Sequence, residues 1–278
     1  MRILVANVAS AEPVGPAADF LRQTLVPLTQ RNADLVRAPD TELVFRFSRQ
    51  GEIHPAFAEF RYLPQVNAAA MYAAVRQAGA EGYDAAILGC FGDPFLRECR
   101  AGAGIPVTGF GEASMLLALT LGDRFGIVSP SPMLVEPIRQ QVAAYGLAAG
   151  LAEVRATGEP AREQEMGLRD ARRAIEHFEI AARGLIAAGA DVIIPGCGLL
   201  SPALRLAPGA ESRYPRGCVE VDGIPVVDVV AASVLAAQAM TRLGTPGALR
   251  RGRNGASAAD RNDHTAHDEG SSGYWDCT

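Results

Sequence analysis

The feature that most constrains this chain is that it says one thing twice. "DAAILGCFGDP" at 84–94 and "DVIIPGCGLLSP" at 191–202 each run from an aspartate through a short apolar stretch to a glycine and a cysteine. Aligning Cys90 with Cys197 also superposes Asp84 on Asp191, both at an offset of 107. Downstream, "GIPVTG" at 104–109 answers "GIPVVD" at 223–228 at an offset of 119, so the second copy carries twelve additional residues. Upstream, "RILVANVAS" resembles "RFGIVSPSP". Self-similarity on this scale means a duplicated structural unit, and the chain has to fold as two related halves.

Short apolar runs bounded by turn residues alternate with longer helical patterns: "RILVA", "DAAILG", "IPVTG", "RFGIVS", "DVIIPG" and "IPVVD". Runs of this kind separated by helices predict an α/β fold with parallel sheets, here two pseudo-symmetric α/β halves with the active site in the cleft between them. Residues 1–110, closed by a helix within about 225–246, form the expected first half, and 111–224 the second. From 247 to 278 the sequence is polar, Gly/Ser-rich and without period, which reads as a disordered tail.

In an open parallel sheet, ligands bind outside the carboxyl ends of the strands, where both cysteines fall. Asp93-Pro94 and Ser201-Pro202 follow them, each a capping residue with proline at the first helical position. That places each sulfur before a helix N-terminus, whose free N–H groups and dipole lower a thiol pKa. Two thiols facing each other across a cleft can take a proton from one face of a carbon acid and return one to the other face, inverting the stereocentre as a coupled acid/base pair. The N–H groups of Phe91, Gly92, Gly198 and Leu199 are the expected donors to the enolate oxygen. Cys99, Cys218 and Cys277 read as core, extra-loop and tail residues.

Other chemistry is excluded or disfavoured. The chain contains no lysine, so its 26 basic residues are all arginine, which removes the Schiff-base lysine of pyridoxal phosphate enzymes and the GK[ST] of a P-loop. Five cysteines without framework spacing argue for reduced thiols. Four histidines, two of them in the tail, argue against a metal site. "GFGEAS" at 109–114 has Ser114 where a dinucleotide fingerprint needs its third glycine. Net charge is −5 with dispersed arginines, so nucleic acid is not an expected partner. With no export signal and no long apolar run, neither is a membrane, and a cytoplasmic location is expected. Arg46, Arg49 and Arg61 read as solvated surface.

The paired cysteines with "GCFGDP", "PVTGFGEAS" and "IIPGCG" resemble the aspartate/glutamate/hydantoin racemase superfamily, and "GDP…PVxGxxEAS" is most similar to its hydantoin racemase branch. The likeness is dense over 84–130 and 189–198 and covers the first 245 residues in outline. It implies a cofactor-independent racemase, oligomeric as family members usually are, acting on a small molecule with Cys90 and Cys197 as the acid/base pair. Asn7 is what survives of the family's substrate-contacting loop after the first strand. Ser129 and Ser131 occupy the mirrored strand end and are candidate substrate contacts. Segment 45–62 and the addition after Cys197 depart from the branch and could rim the cleft. A hydantoin or related amide is the favoured substrate, an amino acid such as aspartate or glutamate the next. Malonate-type decarboxylation or maleate isomerisation departs from the two-thiol pattern, and a metabolite-binding module is the non-enzymatic alternative.

Overall fold

The computed structural model describes residues 1–10, 14–48, 63–158, 167–244 and 274–277. The first unit runs β1 (Arg2–Ser10), α1 (Pro16–Phe20), a π turn (Leu21–Leu25), α2 (Val26–Asp34), β2 (Glu42–Ser48), α3 (Leu63–Ala78), β3 (Ala85–Gly89), α4 (Leu96–Gly102) and β4 (Val107–Gly109). The second runs α5 (Phe110–Ala118), β5 (Phe125–Ser129), a 3₁₀ turn (Pro132–Leu134), α6 (Val135–Ala144), β6 (Leu151–Ala156), α7 (Arg172–Ala187), β7 (Val192–Pro195), α8 (Leu200–Leu206), α9 (Ala210–Arg213), β8 (Glu220–Val221), β9 (Ile224–Pro225) and α10 (Val229–Arg242). A last strand, β10 (Tyr274–Cys277), follows.

The duplication is visible in the pairing. β1 lies between β2 and β3, with β4 outside β3, all parallel. β5 lies between β6 and β7, also parallel, and Val226 makes a parallel bridge to Ile193 outside β7. The strand order is therefore the same in both sheets. β1, β3, β5 and β7 are buried on both faces, which is why they read as continuous apolar runs: Ile3, Leu4, Ala85 to Leu88, Ile127, Val128 and Val192 to Ile194 are all sealed from solvent. β2 and β6 were not legible as strands. β6 carries only one buried residue, and the apolar run of β2 is cut short by Arg46 although the strand is buried from Val44 to Ser48.

"IPVVD" does not form the full strand expected of it. Its first two residues pair with Glu220–Val221 in a two-stranded antiparallel ribbon, leaving Val226 alone on β7. The ribbon partner belongs to the added residues; the residues matching β4 begin at Val226, which keeps its bridge, and the Val227 N–H donates to the Ile193 carbonyl at 2.9 Å.

Two helices cross between the units. α5 leaves β4 and packs on β7, whereas α10 starts beside β7 and packs on α5, β3 and β4. Both are apolar: Phe110, Ala113, Met115 and Ala118 of α5, and Val229, Val230, Val234 and Ala237 of α10, are buried. The two sheets therefore share one continuous core.

The expectation of a disordered tail is corrected at its end. β10 pairs antiparallel with β2, Trp275 opposite Phe47. Their rings sit 5.2 Å apart, and the Arg22 guanidinium covers the indole at 4.6 Å. Arg46 is buried rather than solvated, forking onto Asp276 at 2.7 and 3.0 Å and reaching Glu81 at 2.7 Å. Asp276 outside and Trp275 inside is the alternation of a half-buried strand, hidden in a polar stretch because it is so short. Residues 245–273 lie outside the described set, as do Arg49 and Arg61. Among the described residues no helix is long and apolar enough to cross a membrane. Trp275→Ala is expected to cost about 3 kcal/mol of stability, read as a lowered urea midpoint.

Candidate active site

Cys90 leaves the end of β3 and Cys197 the end of β7, the equivalent strands of the two sheets. Both are half-buried. Each sulfur accepts a hydrogen bond from the N–H two residues on: Gly92 for Cys90, and Leu199, at 3.4 Å, for Cys197. The Leu200 N–H adds a second donor to Cys197. The two cysteine loops abut. A Cβ built on Gly198 would stand 3.9 Å from the Gly89 carbonyl oxygen and 3.0 Å from the Phe110 ring, so a side chain there requires that ring to give way.

The expected lowering of the thiol pKa values is corrected. Burial pushes Cys90 up to about 12, with the Gly92 N–H opposing it and Asp93 and Cys197 adding to it. Burial raises Cys197 too, against the Leu199 and Leu200 N–H groups. The helix after Cys90 is too far along to help: α4 begins only at Leu96, after Phe95 at a left-handed φ of +57°. Desolvation of the charged form outweighs single N–H donors.

Asp93 does not cap the helix that follows it. Its φ is +44°, its own N–H closes a turn onto the Cys90 carbonyl at 3.1 Å, and its carboxylate reaches α5. There it accepts from the Gly111 and Glu112 N–H groups at 3.0 and 2.6 Å. The N-cap position itself is Gly109, which has no side chain to offer, so the cap is delivered across space. Tyr145 Oη donates to the same carboxylate at 2.8 Å, and Gln141 Nε2 bridges it, at 3.3 Å, to the Phe91 carbonyl at 2.7 Å. Burial raises the Asp93 carboxyl to about 7 despite these donors. Ser201 behaves in the same way. It lies inside α8, and its hydroxyl accepts from Val229 N–H, the first residue of α10, at 3.2 Å. Asp228 completes that terminus, accepting from Val230 and Ala231 and binding Asn32 Nδ2.

The remaining candidates divide. Asn7 lies within β1 as the last residue paired with β3, opposite Gly89, its Oδ1 close over that glycine and its Nδ2 donating to the Val5 carbonyl. Phe91 is buried beneath the Cys90 loop. Ser129 is sealed from solvent and donates its hydroxyl to the Ser131 carbonyl at 2.7 Å. Ser131 Oγ accepts from Met133 N–H and caps the 3₁₀ turn. Both serines therefore shape the turn after β5. Glu112 forks onto Arg100 rather than facing the cysteines. Cys99 is core. Gln141 and Tyr145 escaped the sequence reading; their one signal was an i, i+4 polar pair on a helix that otherwise buries Ile138 and Val142.

A duplicated α/β chain with one cysteine past the end of the equivalent strand of each sheet has the fold of a racemase. The model for Asp/Glu/hydantoin racemase matches residues 26–237, and the chain belongs to that family. It is 33% identical over 176 residues to a hydantoin racemase of Rhizobium meliloti, spanning 63% of this chain and 67% of that protein. Allantoin racemase from Klebsiella pneumoniae superposes with a TM-score of 0.69 at 25% identity, over 89% of this chain and 90% of that one. Allantoin racemase from Pseudomonas fluorescens gives 0.69 at 27% identity, over 90% and 95%.

Gly111 sits where the cap, the Cys90 loop and α6 converge. A Cβ there would fall inside contact distance of the Phe91 carbonyl oxygen, 2.5 Å from Gln141 Nε2 and 2.8 Å from Asp93 Oδ2. Gly111→Ala should cost about 2 kcal/mol through overpacking, measured by thermal or urea unfolding.

Proposed function

We propose that this racemase inverts the stereocentre of a neutral cyclic amide of the hydantoin or allantoin kind, using Cys90 and Cys197 as opposed acid and base without a cofactor. The observation that carries this is the matched pair of thiols on abutting loops, each held by the N–H two residues ahead. One sulfur, as thiolate, forms an S–H bond as the α C–H bond breaks, and the electron pair moves onto the carbonyl oxygen. The other, as thiol, gives its proton to the opposite face and is left as the thiolate. The amides of Phe91 and Gly198, next to the sulfurs in sequence, are the proposed donors to the enolate oxygen. Asn7 borders the same place.

An uncharged ring fits the local electrostatics better than an amino acid. Arg100, the arginine that reaches the α5 N-terminus beside the Cys90 loop, is neutralised by Glu112. Relatives named for hydantoin and allantoin point the same way. We place the protein in the cytoplasm as a homo-oligomer that engages neither nucleic acid nor membrane.

Incubation in D₂O with single enantiomers of hydantoins, allantoin, aspartate and glutamate tests this. Loss of optical rotation with α-deuterium incorporation is expected for the ureides. Cys90→Ala and Cys197→Ala should each lower racemisation by a factor of about 10³; a variant turning over at the parent rate refutes the two-base reading. Because burial raises both thiols, kcat/KM should climb with pH on a limb above the free cysteine value of about 8.5. A limb near 6 would contradict the burial argument.

A further inference from the structure

The Cys90 loop is a tight turn whose middle peptide is held by a side chain of the other unit. The Asp93 N–H donates to the Cys90 carbonyl at 3.1 Å, closing a four-residue turn with Phe91 and Gly92 at its centre. That bond fixes the first peptide, Cys90–Phe91. The second, Phe91–Gly92, is met from α6: Gln141 Nε2 donates to the Phe91 carbonyl at 2.7 Å. A trans peptide points its carbonyl and its N–H in opposite directions. With the carbonyl drawn to α6, the Gly92 N–H faces the other way, onto the Cys90 sulfur. A Cβ built on Gly92 would stand 3.8 Å from that sulfur, so the glycine lies against it.

The middle peptide of such a turn is the one that can turn over. Doing so separates a type I turn from a type II turn, and the type II form demands left-handed φ at the third residue, which glycine adopts freely and other residues resist. Gly92 holds that third place and lies outside the left-handed region in this structure. Neither its φ nor its space calls for a glycine here, because 3.8 Å to the sulfur is ordinary contact. What glycine supplies is access to the turned-over form. The second copy differs at this point: two residues after its cysteine stands Leu199, at a right-handed φ of −86°. The Ser201 N–H donates to the Cys197 carbonyl at 3.2 Å as α8 begins, so that loop is held from within. The Cys90 loop, with α4 delayed to Leu96, has to be held from outside.

We infer that Gln141 is a positioning residue: its amide selects the orientation of the Phe91–Gly92 peptide that keeps the Gly92 N–H on the Cys90 sulfur. The inference deepens the two-thiol reading and rests on it only for its consequence in turnover. Tyr145, one turn further along α6, bonds the Asp93 carboxylate and supplies a control for general loosening of that helix.

The test is hydrogen exchange of the amide at position 92 in the full-length protein without substrate, followed by NMR. Gln141→Met keeps the bulk and removes the donor, and the Gly92 amide should then exchange about tenfold faster, the worth of one hydrogen bond. Adding Gly92→Ala closes the left-handed form, so Gln141→Met/Gly92→Ala should exchange at position 92 within about twofold of Gly92→Ala alone. Tyr145→Phe should leave the Gly92 rate where it was. An unmoved Gly92 rate in folded Gln141→Met, an acceleration that persists beside Gly92→Ala, or an equal acceleration in Tyr145→Phe would each overturn the inference. Should Gln141→Met fail to fold, the parent protein decides: a protected Gly92 amide upholds the inference, and one exchanging like an unstructured glycine overturns it. No turnover enters the measurement, so its failure is distinguishable from failure of the racemase reading.

Discussion

The constraint on which this molecule turns is the capping of its two crossing helices. α5 and α10 are the elements that belong to both units, each leaving one sheet and burying its apolar face against the other. A helix N-terminus inside such a core leaves several N–H groups without partners, and each one unmet costs on the order of 1–3 kcal/mol. The protein meets them with Asp93 and with Ser201 and Asp228, residues of the cysteine loops or adjoining them. The bonds that close the core are therefore the bonds that place the sulfurs.

That arrangement explains what a single sequence could and could not disclose. The placement of the cysteines was legible because duplication marks it: both fall just past the ends of equivalent strands. The parallel sheets were legible through the buried runs of β1, β3, β5 and β7. The direction of the caps was not. Asp93-Pro94 reads as the start of its own helix, and nothing local says that its side chain turns to Gly111 and Glu112 eighteen and nineteen residues away. Propensity describes neighbours in sequence; this carboxylate answers to a neighbour in space. Arg46 misled in the same way, since its partners Asp276 and Glu81 lie far along the chain.

The thiol pKa values show magnitude deciding between two effects of opposite sign. A helix terminus favours a thiolate, but the donors that reach each sulfur are one or two N–H groups, while burial withdraws most of its hydration. A raised pKa keeps each thiol protonated in the ligand-free protein and makes whatever thiolate does form the stronger base. The proposed two-base reading needs both properties in turn, which is a different demand from that on a nucleophilic cysteine.

β10 has a consequence of another kind. Without it, β2 would be the outer strand of a five-stranded sheet reduced to four, with its main-chain donors and acceptors facing open solvent. Such a rim is a template for any other extended chain, including that of a second molecule. Four residues from the far end of the polypeptide occupy it in the opposite direction, with Trp275 as the anchor and the Arg46–Asp276 fork as the latch. β10 then acts as a guard against self-association by strand addition.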